Sequence, residues 1–97
     1  MTTRELIAAE LRGLRAKKDE SVEKVSIGSS VSRDTITRYE NNSCSPSIDN
    51  LEKLLNYYGV DFDIFFTNIY ANKHREMRDF DGKILLWQER HYGNNRI

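Results

Sequence analysis

The sequence predicts an all-α protein, a compact bundle of five short helices followed by a C-terminal extension. Three observations predict it. Between Thr3 and Tyr70 apolar residues recur three and four positions apart, the period of helices that bury one face. Ser21, Ser32, Ser47 and Asp61 each stand directly before such a run, where a side-chain oxygen caps the free N–H groups of a first helical turn. No stretch in the first sixty residues reads as a strand.

Each element follows from its own signals. The first helix runs from Thr3 to about Lys18 on a stripe of Ile7, Leu11 and Leu14. Lys17 and Lys18 suit the negative end of its dipole, and Asp19 tolerates the left-handed conformation that ends a helix. Ser21 caps a second helix that turns Val22 and Val25 inward and ends near Ile27 or Gly28, where Ile27-Gly28-Ser29-Ser30 signals a turn. Ser32 caps a third helix reaching Glu40 or Asn41. The stretch Asn41-Asn42-Ser43-Cys44-Ser45-Pro46 is a loop, and either asparagine can take the left-handed form. Ser47 caps a fourth helix with Ile48, Leu51, Leu54 or Leu55, and Tyr58 inward, and Gly59 stops it. Asp61 caps a fifth, with Phe62, Phe65, Phe66 and Ile69 as its buried side. The helical domain is thus read over 1–69 and the extension over 70–97. In the extension, the apolar cluster Ile84-Leu85-Leu86-Trp87 fits a short helix or a strand equally.

Composition narrows the function. The 97 residues suffice for one small domain. Cys44 is the single cysteine, which rules out an internal disulfide and fits a reducing, cytoplasmic setting. No apolar run has the length of a membrane span, and the N-terminus lacks a signal-peptide pattern. His74 and His91 have no neighbours at metal-ligand spacing. No nucleophile–base set, Gly-rich phosphate loop or carboxylate pair marks an enzyme. Neither a cofactor nor a metal is expected. Fifteen basic residues balance fifteen acidic ones. Nucleic-acid modules are often strongly basic, so any phosphate binding must come from a local field.

The third helix carries the functional signal. On a helical wheel Ile36 and Tyr39 fall on one arc, while Arg33, Thr37, Asp34 and Arg38 fall on the opposite one. A polar helix this short is marginal alone; it is anchored through Ile36 and Tyr39 and presents the other face outward. Arg12 and Arg15, one turn apart in the first helix, are placed to bond Glu40 or nearby carbonyls.

Two short helices and a tight turn, the second helix with one polar face, form a helix-turn-helix pattern. Residues 11–66 resemble, without a gap, the Cro/cI-type helix-turn-helix domain of phage and bacterial repressors. The resemblance is carried most strongly by Val31-Ser32-Arg33-Asp34-Thr35-Ile36-Thr37-Arg38-Tyr39-Glu40-Asn41, then by Pro46-Ser47-Ile48, Leu51 and the run Tyr58-Gly59-Val60-Asp61-Phe62-Asp63-Ile64-Phe65. Departures cluster in the second helix and its turn. Val22 stands where members carry Gln, Ser26 where they carry Ala, Ser29 for a buried Leu and Ser30 for the turn Gly. Glu20 replaces a Leu before the cap, and Ser43 stands where a basic residue is common.

The resemblance implies a transcriptional regulator, a repressor by family habit, whose third helix lies in the major groove of double-stranded DNA. Arg33, Asp34, Thr37 and Arg38 are then the base-reading set, since arginine forks onto guanine and a carboxylate accepts from cytosine. Ser21, Ser32, Asn41, Ser43 and Ser47 are the backbone-facing set. Val22 and Ser43 forgo two of the family's usual backbone contacts, which points to weak binding by one copy. Pairing of two copies would offset this, and Ile84, Leu85 and Trp87 are the candidate homodimer contacts. Two alternatives stay open: a protein-interaction module on the same fold, as in an antitoxin-like or anti-regulator partner, and the DNA-binding head of a peptide-sensing regulator.

Overall fold

Five helices and no strand make up the described residues of the computed structural model, which cover 1–80, with side chains through residue 74. The helices are α1 (Thr3–Lys18), α2 (Val22–Ser29), α3 (Arg33–Glu40), α4 (Ile48–Tyr58) and α5 (Phe62–Phe80). None of the described helices is long and apolar enough to cross a membrane.

Local chemistry sets most of the boundaries. Thr2 opens α1 with a reciprocal capping box: its hydroxyl accepts from the Glu5 N–H at 3.2 Å, and the Glu5 carboxylate accepts from the Thr2 N–H at 3.1 Å. These bonds hold the Glu5 carboxyl below its ordinary pKa. Asp19 ends α1 in the left-handed conformation, φ 54°. Ser21, Ser32 and Ser47 cap α2, α3 and α4 as expected. Gly59 ends α4 at φ 73°, where a side chain would be strained. Beyond α3 it is Asn42, not Asn41, that turns left-handed (φ 59°).

The core lies where all five helices converge. Leu6, Ala8 and Leu11 of α1, Val25 of α2, Ile36 and Tyr39 of α3, Leu51, Leu54 and Leu55 of α4, and Phe65 and Ile69 of α5 are buried, with Val31 from the α2–α3 turn. A fully buried side chain of this kind contributes about 1.5–3 kcal/mol. α1 packs on α3 and α5, while α2 packs on α3 and α4, so α3 is gripped from both sides.

Several expectations need correction. Ile48 is 67% exposed: it opens α4 one turn before Leu51 and is not packed against the core. Phe66 is also exposed, while Phe62, Val22, Ile7 and Leu14 are only partly buried. α2 continues past Gly28 to Ser29, so the left-handed turn residue is Ser30 (φ 65°). α5 runs unbroken across residue 70 to Phe80, since nothing in the charged stretch after Tyr70 breaks a helix. Ile84, Leu85 and Trp87 lie outside the described residues.

Candidate nucleic-acid interface

The outward face of α3 gathers the four residues expected to read bases. Arg33, Asp34, Thr37 and Arg38 are all exposed. Behind them Ile36, Tyr39 and Glu40 are buried. Eight residues would not hold a helix alone; here tertiary anchors fix both the depth and the rotation of α3.

One anchor is ionic. The Arg15 guanidinium forks onto the Glu40 carboxylate, with Nε 2.9 Å from Oε2 and Nη2 2.8 Å from Oε1. Its Nη1 also donates to the Glu20 carbonyl at 3.1 Å, and Arg12 donates to the Glu40 carbonyl. Glu40 is buried, so this pairing is what makes its charge tolerable there. The bond to Glu40 raises the Arg15 pKa further. Burial, and then the Glu40 charge, push the neighbouring Tyr58 phenol up to about 12.

The turn between α2 and α3 is built from serines. The Ser26 hydroxyl donates to the Val31 carbonyl at 2.6 Å, and the buried Ser29 hydroxyl accepts from the Val31 N–H at 3.3 Å. Both polar groups of the buried Val31 backbone are thus satisfied. The three serines of α2 and its turn that depart from the Cro/cI pattern therefore do separate things: Ser26 and Ser29 bond the turn, and Ser30 carries its left-handed backbone.

The backbone-facing candidates divide. Ser21, Ser32 and Ser47 are exposed, and their hydroxyls accept from the N–H groups of Lys24, Thr35 and Asn50 at 3.1–3.2 Å. Each marks a helix start, where remaining N–H groups suit an anion. Asn41 and Ser43 are exposed on the loop after α3, with the Ser43 N–H donating to the Arg38 carbonyl at 2.8 Å. Asn42 is used internally: Arg4 Nε donates to its side-chain oxygen at 2.7 Å. Sequence reasoning missed two neighbours of this surface. Glu23 on α2 lies 3.9 Å from the Arg33 guanidinium, and the hydroxyl of Tyr39 emerges at the start of α4. Neither carries a local sequence signal.

A family described as a helix-turn-helix domain matches residues 6–63, more than half the chain. Over 55 residues the chain is 34% identical to the cryptic phage CTXphi transcriptional repressor RstR of Vibrio cholerae, an alignment spanning 57% of this chain and 50% of the repressor. The chain therefore spans about half the length of that relative. Its fold is similar to the crystal structure of a tyrosine-to-phenylalanine mutant of the restriction-modification controller protein C.Esp1396I, with a TM-score of 0.67 and 21% identity, over 74% of this chain and 91% of the other. The chain belongs to the helix-turn-helix domain family, and its fold is Cro/cI-like.

Proposed function

We propose that this protein is a sequence-specific repressor that reads the major groove of double-stranded DNA with α3, as a homodimer in the cytoplasm. One observation carries the reading: four side chains suited to base edges, Arg33, Asp34, Thr37 and Arg38, share the exposed face of a helix whose opposite face is locked into the core. The starts of α2, α3 and α4, with Asn41 and Ser43, supply backbone contacts around that face. The similarity to a phage repressor supports the sign of regulation.

Pairing supports the affinity. The chain has zero net charge, and Glu23 offsets part of the field of Arg33. Two heads bound together act at high effective concentration and place two recognition helices on half-sites about one helical turn apart. The apolar residues Ile84, Leu85 and Trp87 are the proposed contacts, with Ile64, Phe66 and Tyr70 exposed on α5 in the same half of the chain.

Selection from random duplexes supplies the site, and Arg33→Ala and Arg38→Ala then test the reading. Each should cost about 1–3 kcal/mol on the selected site and much less on unrelated DNA. Equal losses on both would reduce the arginines to phosphate contacts. The neutral charge favours one second reading, a protein-interaction module on the same fold. A salt series separates them, because DNA binding weakens steeply as salt rises.

A further inference from the structure

Tyr39 reads in the sequence as a core residue and nothing more, and its ring is indeed buried. Its hydroxyl has a different position. It accepts the Ser47 backbone N–H at 3.3 Å and the Asn50 side-chain N–H at 3.0 Å. Ser47 is the cap of α4, and its own hydroxyl holds the Asn50 backbone N–H at 3.1 Å. One phenol oxygen near the end of α3 thus holds the first turn of α4 across the Asn41–Pro46 loop. Phenylalanine would fill the same space and leave both donors without this acceptor.

We infer that the Tyr39 hydroxyl is a positioning residue for DNA binding, setting the start of α4 in register with the base-reading face of α3. The inference rests on the DNA reading above. Side chains on α3 fix where bases are met, and the start of α4 is a separate phosphate contact. The two engage one duplex together only at a fixed spacing. The intervening loop is six residues long and contains one proline, so it does not set that spacing by itself. The Tyr39 oxygen is the side-chain link that joins the two helices directly among the described hydrogen bonds.

The test is Tyr39→Phe in the full chain, titrated against the selected duplex over a salt series, with thermal unfolding measured in parallel. The expected result is a folded protein whose affinity falls roughly three- to tenfold, the worth of a hydrogen bond. The slope of log affinity against log salt should stay close to that of the wild type, because the contact weakened at the start of α4 is made by neutral N–H groups and not by a cation. Asn50→Ala removes one of the two donors and should lower affinity in the same direction. Combined with Tyr39→Phe, it should add little. A Tyr39→Phe protein that melts earlier yet keeps the wild-type affinity overturns the inference, leaving the hydroxyl a stability element. Fully additive losses in the double variant overturn it too. Failure of the wild type to bind any duplex in a salt-dependent way would instead overturn the DNA reading itself.

Discussion

The two sides of the helix-turn-helix are fastened by opposite chemistries. On the α1 side the end of α3 is held by a buried carboxylate, Glu40, forked by Arg15 and backed by Arg12. On the α4 side α2 is held by an aromatic ring. Tyr57 lies over Gly28, its hydroxyl donates to Glu20, and Lys18 sits 5.0 Å above the ring. That bond to Glu20 raises the Tyr57 pKa. The ionic fastening is directional and fails sharply, because a buried charge left alone is costly. The aromatic one is a matter of shape and fails by degrees. The helix proposed to read bases has the sharp fastening, which fixes its rotation; the supporting helix has the tolerant one.

The largest expected effect is therefore on the ionic side. Arg15→Ala strands Glu40. Losing one partner of a buried pair costs about 3–5 kcal/mol. Arg15 keeps 28% of its side chain exposed, so water recovers part, and about 2–3 kcal/mol is expected in chemical denaturation. Glu40→Gln in the Arg15→Ala background should restore part of the loss by removing the stranded charge. If Arg15→Ala alone costs under about 0.5 kcal/mol, the pair is only a surface contact.

The aromatic side should respond less. A Cβ on Gly28 would clash with Tyr57 Cε1, so Gly28→Ala must displace the ring from Glu20. Overpacking costs about 1–3 kcal/mol, partly offset by the better helix propensity of alanine, about 1 kcal/mol. The sign should reverse in a Tyr57→Ala background, where only the propensity gain remains. Destabilisation by Gly28→Ala in both backgrounds would mean the glycine serves something other than the ring.

The same division explains what the sequence made legible. The fold rests on local signals: serine caps at Ser21, Ser32 and Ser47, the stop at Gly59, and leucines at helical spacing. The polar face of α3 was readable for the same reason, since its inner anchors are only one turn apart. Arg15 with Glu40 was within reach because both lie in regular helices at the expected height. Glu20 with Tyr57 was not: the partners are 37 positions apart, and no periodicity links them. Gly28 misled for a related reason. Glycine signals a turn by default, but here it makes room for a ring from another helix, and α2 continues through it. The capping box of Thr2 and Glu5 carried a sequence signature that went unread.

The smallest expected effect lies at the corner that joins the two sides. Ser30 adopts φ 65°, a region that costs a residue with a Cβ roughly 1–2 kcal/mol. Ser30→Gly removes that cost, while the greater freedom of glycine in the unfolded chain returns about 0.4–1 kcal/mol. The net gain should be about 0.5 kcal/mol, a rise in melting temperature of roughly 2–4 °C for a domain of this size. The turn should survive, because its side-chain hydrogen bonds come from Ser26 and Ser29. Ser26→Ala should do the reverse, leaving the Val31 carbonyl without its hydroxyl partner and lowering stability by about 1 kcal/mol. If Ser30→Gly instead destabilises the protein, its left-handed backbone is held at little cost, and the corner depends on the Ser30 side chain.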